Sequence, residues 1–448
     1  MAKAKVLYEC QSCGYQSAKW MGKCPNCGAW ESFLELSKQE QEFLKSTSKT
    51  TSTKSEAISI TDIKEERFER FSSNDSELDL VLGGGIVKGS LTLIGGSPGV
   101  GKSTLLLKIG SNIAKSGKKV LYVSGEESLG QIKLRANRLE ANSDNLFMLS
   151  QIELEKIIDE LKRKDYELLI IDSIQTIYSN KIPSAPGSVS QVRDITFNLM
   201  RVAKDRDLAT FIIGHITKEG SIAGPRVLEH MVDTVLYFEG DSNRELRLLR
   251  GFKNRFGSTS EVAIFEMTKN GLTSAKDISS KFFTRGVSTI GSALTIVLEG
   301  SRPLIVEVQA LVTQSGYPSP KRSSTGYEQN RLNMLLALLE KKLSLPLNEY
   351  DVFINISGGI KINETSADLA IITAIVSSFR DREVSKDTIF LGEVSLTGEV
   401  REVFNLDIRL KEALTQDFKR AIVPKLPIED TKLKCYAVSE VSKLIDWM

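Results

Sequence analysis

The sequence predicts an α/β protein built on a doubly wound parallel sheet, with a small cysteine-rich module before it and a second α/β domain after it. Three observations lead there. Between about residues 58 and 270, short β-branched runs alternate with segments long enough for crossover helices; one run feeds a glycine-rich loop; and four of the five cysteines stand in the first 27 residues. The composition agrees: 448 residues, 41% hydrophobic and 26% charged, form packed cores and exclude disorder throughout. Such a length divides into about two to four folded units. With 59 Lys+Arg against 57 Asp+Glu the formal charge is +2. Any affinity for nucleic acid must therefore come from a local basic surface, because the field of the whole molecule is weak. No apolar run approaches the roughly 18 residues of a membrane span. Met1–Lys5 is basic but runs into Tyr8, Glu9 and Cys10 instead of an apolar stretch. No secretory signal and no membrane association are expected, and the expected compartment is the cytoplasm.

The cysteines come as Cys10-x2-Cys13 and Cys24-x2-Cys27, with ten residues between the pairs. Each pair can wrap one turn around a metal ion, and four thiolates make the closed tetrahedral shell of structural zinc. Gly14 and Gly28 follow the second cysteine of each pair, where a tight turn lets backbone amides approach sulfur. Two disulfides are the competing reading, disfavoured by a reducing compartment. A catalytic zinc is opposed by the fourth sulfur, which leaves no position for water. Cys435 stands alone and reads as a small apolar residue. Residues 1–36 are thus expected to form a four-cysteine zinc finger. From Ser37 to Ala57, nine Ser or Thr in 21 residues leave little to bury, the composition of a flexible linker.

In the next segment, 58–275, Ser90–Gly96, Val120–Ser124, Leu168–Asp172 and Thr210–Gly214 read as buried parallel strands. Val192, Ile195, Leu199 and Val202 mark the apolar face of a crossover helix. Three later runs, Asp233–Phe238, Glu245–Phe252 and Glu261–Met267, read as an antiparallel extension. Gly96, Ser97, Pro98, Gly99, Val100, Gly101, Lys102 and Ser103 match G-x4-G-K-[ST] in full, between a strand and a helix. In such a loop the backbone curls so that successive N–H groups face phosphate oxygens, and the helix adds its positive end. Lys102 is expected on the β- and γ-phosphates of ATP, Ser103 on Mg²⁺, and Thr104 on the α-phosphate. Asp172 ends an apolar strand 70 residues after Lys102 and is the expected second partner of Mg²⁺. Glu126 and Glu127 follow another strand, where one or the other can orient the attacking water, and the strand-end location puts Glu126 near the phosphates. His215, after the strand Thr210–Gly214, also stands on the phosphate side.

The run Lys253-Asn254-Arg255-Phe256-Gly257, taken with the four cysteines, the GGSPGVGKST loop and the LYVSGEES segment, resembles the bacterial RadA (also called Sms) DNA repair family over the whole chain. The resemblance implies a RecA-like P-loop ATPase core that assembles as a ring or filament, the expected form being a hexameric ring, with ATP between adjacent subunits. It implies that Lys253 and Arg255 reach the neighbour's γ-phosphate, where a cation supplied in trans stabilises charge on the transferred group. It also implies an ATP-driven helicase that moves on single-stranded DNA, promotes branch migration of branched recombination intermediates, and works with the RecA recombinase. In RecA-like folds the DNA loops follow the strand of the Mg²⁺ aspartate and the strand after it. Here those loops are Ser179–Ser190 and Thr217–Arg226, with Lys181, Lys218 and Arg226 as phosphate contacts.

The last segment, 279–448, mixes strands at Leu304–Val312, Asp351–Ile356 and Thr388–Leu391 with helices at Arg331–Lys342 and Ser366–Ser378. It resembles the proteolytic domain of the ATP-dependent Lon protease. Glu364-Thr-Ser366-Ala-Asp368 falls where those enzymes keep a serine nucleophile, and Gly392–Gly398 resembles the strand and turn before their catalytic lysine. With the spacing held, Asp407 occupies the lysine position, and Lys411 lies one helical turn beyond it. A serine without a proton acceptor does not attack, so the domain is expected to be proteolytically inactive. Lys321, Arg322 and Arg331 cluster around a glycine-containing loop and are expected to bind DNA. An ATP-dependent Lon-like serine protease and a KaiC-like signalling ATPase, which LYVSGEES also resembles, are the alternatives to the repair motor.

Overall fold

The computed structural model describes residues 7–10, 15–26, 28, 30, 32–36, 59–62, 68–215, 228–240, 246–269, 271–275, 283, 288–317, 319–426 and 432–447. Cys13, Cys27, the linker 37–57, Lys218 and Arg226 lie outside them. The chain divides into two compact units, Met1–Ser274 and Ala275–Met448.

At the N-terminus β1 (Leu7–Cys10) pairs antiparallel with β2 (Gln16–Ser17) and β3 (Phe33–Leu36). Cys10 and Cys24, each 1% exposed, pack with Phe33 in one small cluster. Tyr8 and Met21 pack against this cluster, so the two thiols sit within the small core of the segment.

In the same unit β4 (Arg70–Phe71) pairs with β5 (Ile86–Val87), bracketing α1 (Ser76–Val81). A nine-stranded sheet follows: β6 (Leu91–Gly96), β7 (Val120–Ser124), β8 (Leu146–Ser150), β9 (Leu168–Asp172), β10 (Ala209–His215), β11 (Thr234–Glu239), β12 (Leu246–Asn254), β13 (Val262–Thr268) and β14 (Gly271–Ser274). Its order is β14-β13-β12-β11-β6-β10-β9-β7-β8; β6 through β11 run parallel and β12 to β14 antiparallel. Alternate residues of each parallel strand enter opposite cores. Ile94, Tyr122 and Ile170 meet α2 (Lys102–Lys115) and α3 (Leu129–Arg138) on one face. Leu93, Leu121, Val123 and Ile171 meet α4 (Leu154–Arg163) and α5 (Val189–Asp205) on the other. Burial of both faces makes these strands continuous apolar runs. Each fully buried Leu or Ile contributes roughly 1.5–3 kcal/mol.

The second unit holds β15 (Thr289–Ile290), β16 (Ser292–Glu299), β17 (Arg302–Gln314), β18 (Arg322–Thr325), β19 (Tyr350–Ile356), β20 (Glu383–Val384), β21 (Thr388–Phe390), β22 (Glu393–Val394), β23 (Val400–Arg401), β24 (Arg420–Val423) and β25 (Lys434–Ala437). Seven of them form a mixed sheet in the order β18-β19-β17-β16-β21-β24-β25. Its helices are α6 (Gln329–Leu343), α7 (Asp368–Arg380) and α8 (Leu406–Thr415).

Two sequence expectations change here. Arg331 is no free cation for DNA: its guanidinium pairs with the fully buried Asp368 and donates to the Val394 carbonyl at 2.8 Å. Asp368 also accepts from the Tyr327 hydroxyl (2.6 Å) and the Val394 amide (3.0 Å). A buried carboxylate needs this many partners to remain charged. Arg322 is engaged as well, with Glu340 at 3.2 Å, whereas Lys321 stays exposed with its ammonium 5.1 Å from the Tyr317 ring.

The residue facing Ser366 is Arg409, not Asp407. Leu406, Arg409, Leu410 and Ala413 make the buried face of α8, while Asp407 and Lys411 are exposed. Arg409 spans both oxygens of Glu364 at 2.8 Å each and donates to the Ser366 hydroxyl at 3.0 Å; Ser366 donates to Glu364 at 2.6 Å. A guanidinium has no lone pair to accept a proton. Burial alone would raise the Glu364 carboxyl, but Arg409 and Ser366 hold it below the usual range, making it a poor acceptor. A fluorophosphonate serine-hydrolase probe is therefore expected to leave the protein unlabelled, and Ser366→Ala to change no peptide cleavage; labelling at Ser366 would reverse this reading. Arg331→Ala, which strands the buried Asp368, is expected to lower unfolding stability by about 3–5 kcal/mol, read from the urea midpoint.

Candidate nucleotide site

The phosphate loop leaves β6 at Gly96 and enters α2 at Lys102. Gly96 has φ +156°, and a Cβ there would lie 2.5 Å from the Phe238 carbonyl of β11, so the neighbouring strand requires glycine. Gly101 caps α2 in the left-handed region (φ 112°) without a side-chain hydrogen bond, and the first helical turn carries no acid. The helix therefore presents amide N–H groups and its positive end to an anion. Val100 is buried in the core and anchors the loop, while Ser97, Pro98 and Gly99 are exposed. Arg247 of β12, itself buried, donates to the Val100 carbonyl at 3.2 Å.

Lys102 is buried, and its ammonium donates to the carbonyls of Gly96 (2.7 Å) and Ser97 (3.0 Å). Burial pulls it down to about 8, with Asp172 and Glu126 opposing. Asp172 closes β9 beside it. Burial pushes its carboxyl above the ordinary range, against hydrogen bonds from Tyr122 and Ser103. The donor set is a hydroxyl and a carboxylate at the helix entrance, hard oxygen ligands of the kind Mg²⁺ takes. Thr104 follows in the first turn of α2.

The two glutamates after β7 diverge. Glu127 pairs with Arg135 of α3, whereas Glu126 is exposed and accepts from the Ser173 hydroxyl at 2.5 Å, beside Asp172. Glu126 is thus the acid that faces the phosphate loop. His215 ends β10 in register with Gly96. In the segment after β9, Gln191 donates to the carbonyls of Ser179, Ile182 and Ser184, so the Ser/Pro/Gly run is pinned, and Lys181 within it is exposed.

The KNRFG run sits elsewhere. Thr234 is in register with both Thr92 and Asn254, so Lys253–Gly257 lies towards the opposite end of the sheet from the phosphate loop, with Asn254 about 13 Å from the level of Gly96 at the rise of a strand. Four of its residues fix the loop. Lys253 donates to the carbonyls of Glu229 (2.7 Å), His230 (3.3 Å) and Val232 (2.8 Å). Asn254 accepts from the Phe256 amide at 2.9 Å. Phe256 meets Phe68 edge to face, and its carbonyl accepts from Arg70 at 2.5 Å. Gly257 packs on Gly83. Arg255 keeps 53% of its side chain exposed, steadied by Asp233 at 3.3 Å. Tyr122, Ser173, Arg135, Arg247 and Asp233 were not expected from sequence. The signals that could have found Tyr122 and Arg247 are a phenol and a guanidinium inside strands that are otherwise apolar.

A family model described as AAA domain matches residues 55–221, one described as Rubredoxin metal binding domain matches 8–35, and one described as Subunit ChlI of Mg-chelatase matches 328–426, within the Lon-like region. The DNA repair protein RadA of Campylobacter jejuni is 66% identical over 448 residues, covering all of both chains. RadA of Helicobacter pylori is 58% identical over the same full length, and RadA of Bacillus subtilis is 47% identical over all of this chain and 98% of its own. Similarity of this extent, together with a P-loop ATPase core, a cysteine-rich ribbon and a Lon-like domain in one order, means that the chain belongs to the RadA family of DNA repair proteins.

Proposed function

We propose that this chain is a DNA-dependent ATPase and helicase of recombinational repair, translocating on single-stranded DNA and driving branch migration from a hexameric ring with ATP between neighbours. The observation that carries the proposal is the position of Arg255. It is held by a rigid loop, half exposed, and too far from its own phosphate loop to serve it. A cation so placed serves the site of an adjacent copy, which makes turnover depend on assembly.

Bound as Mg²⁺–ATP, the nucleotide supplies the anhydride bond whose hydrolysis drives movement, with the ion neutralising phosphoryl charge. Ser103 and Asp172 would hold the ion. Lys102 exchanges its contacts with the Gly96 and Ser97 carbonyls for phosphate oxygens, and Glu126 orients the attacking water. Lys181, Lys218, Arg226, Lys321 and Arg322 are the proposed contacts to DNA phosphates, with Arg322 weakened by its pairing to Glu340. Cys10 and Cys24, already gathered in one buried cluster, would hold Zn²⁺ with Cys13 and Cys27, a soft donor set suited to that ion. Branched DNA and the RecA recombinase are the proposed partners, and the cytoplasm the proposed compartment. The domain limits 1–36, 58–275 and 279–448 belong to the same proposal. The protease alternative meets Arg409 at Ser366, and the KaiC-like alternative is opposed by full-length relatives that are RadA proteins.

Single-stranded DNA is expected to accelerate ATP hydrolysis, and a forked duplex to be unwound only with ATP; a rate indifferent to DNA would overturn the motor. Lys102→Ala should abolish turnover. Arg255→Ala should bind ATP normally while losing about 10³-fold in turnover. Mixing these two inactive variants should restore part of the rate, because a hybrid interface pairs an intact loop with an intact arginine; no recovery would place Arg255 outside the site. ATP affinity should stay flat below about pH 8 and weaken above it, by up to about tenfold per pH unit, as the Lys102 ammonium loses the proton that the triphosphate requires. Fluorescent-nucleotide titrations across pH measure this.

A further inference from the structure

β7 and β9 lie side by side with Tyr122 opposite Ile170 and Ser124 opposite Asp172. Two hydrogen bonds cross between them in opposite senses. Tyr122, 1% exposed within β7, donates its hydroxyl to Asp172 Oδ2 at 2.5 Å. Ser173, fully buried after β9, donates to Glu126 Oε1, beyond the end of β7, at 2.5 Å. Each strand thus supplies one carboxylate and the donor that holds the other strand's carboxylate. Tyr122 belongs to the apolar core around Ile94, Ile170 and Phe211, where a phenylalanine would bury the same ring. A phenol hydroxyl in such a place is costly unless bonded, and the partner it meets is the acid expected to hold the metal ion. Asp172 and Glu126 repel each other electrostatically, and the Ser173 hydroxyl holds the Glu126 side chain against that repulsion.

We propose that Tyr122 and Ser173 are positioning residues of the nucleotide site: Tyr122 fixes Asp172 for the metal ion, and Ser173 fixes Glu126 for the attacking water. The inference rests on the hydrolytic reading above and adds a division of labour to it. The metal arm and the water arm are held by different strands, so they can be weakened separately.

The test uses the full chain with Tyr122→Phe and Ser173→Ala, each checked for melting temperature. Two quantities are read: the Mg²⁺ concentration that half-saturates binding of a fluorescent non-hydrolysable ATP analogue, and kcat and KM for ATP with single-stranded DNA present. Tyr122→Phe is expected to raise the half-saturating Mg²⁺ about tenfold, as loss of a ligand's outer partner does elsewhere, while analogue binding without Mg²⁺ stays within about twofold. Ser173→Ala is expected to lower kcat about tenfold or more with KM and the Mg²⁺ requirement unchanged. An unchanged Mg²⁺ requirement in Tyr122→Phe, an unchanged kcat in Ser173→Ala, or both quantities moving together in step with a falling melting temperature would overturn the proposal. The arms are read independently, so a variant that does not fold leaves the other to decide. The analogue titration needs no turnover: a parent that binds Mg²⁺–analogue but hydrolyses no ATP overturns the hydrolytic reading and the water arm, and leaves the metal arm to the Mg²⁺ titration.

Discussion

A triphosphate carries more negative charge than a protein interior tolerates, and it can be held only where fixed donors replace its water. The loop from Gly96 to Ser103 is shaped by that requirement. Its strand is pressed so close to β11 that only glycine fits at the turn, its helix opens without a capping side chain, and its lysine is buried at a cost that shows in a lowered proton affinity. Lys102 rests on two carbonyls of the loop, contacts that a phosphate can replace without moving the backbone. The same burial raises Asp172, which is why two hydroxyls converge on it. Charge that is expensive before the nucleotide arrives becomes complementary once it is bound.

The sheet then dictates where further help can come from. β6 delivers the phosphate loop at its carboxyl end, while β12, running antiparallel two strands away, delivers Arg255 at the other end. A side chain cannot cross the length of a strand, so an arginine fixed there is out of reach of its own phosphate loop, and a neighbour's site is the one proposed for it. The local construction agrees with such a role: Lys253, Asn254, Phe256 and Gly257 are all tied into the subunit, and Arg255 alone among the five projects a half-exposed charged tip. A flexible arginine would lose much of its advantage to side-chain entropy on every encounter.

The sheet was legible because strands buried on both faces read as unbroken apolar runs; LLIID and TFIIG announce themselves. β8, a half-buried edge strand with Met148 and Ser150, and β14, with one leucine in four residues, do not. The phosphate loop, Lys102 and Asp172 were legible because they are local in sequence or end a strand. Tyr122 and Ser173 act across 50 and 47 residues of chain, a relation set by strand register, and no spacing rule encodes register. Arg331 misled because a basic residue near a loop resembles a surface cation, and its partner Asp368 lies on another helix. Counting to Asp407 failed because α8 begins after Asn405 in the left-handed region (φ 53°), which turns Leu406 and Arg409 inward and Asp407 out. An arginine at an apolar position of a helical face was the signal that counting passed over.

Arg409 also shows how the Lon-like fold can hold a serine in a setting unsuited to nucleophilic attack. In a serine–lysine pair the same neighbour orients the hydroxyl and takes its proton, and it must be uncharged to do the second. A guanidinium does the first only. Here it ties Ser366 and Glu364 to the Ile296 carbonyl of β16 at 2.5 Å and the Phe404 carbonyl before α8 at 3.1 Å, joining three elements through one buried cation. Removing such a cation would leave Glu364 charged and unpaired, so the arrangement is retained by the cost of its disruption. At the position where a serine–lysine pair would stand, the side chains form a fastening.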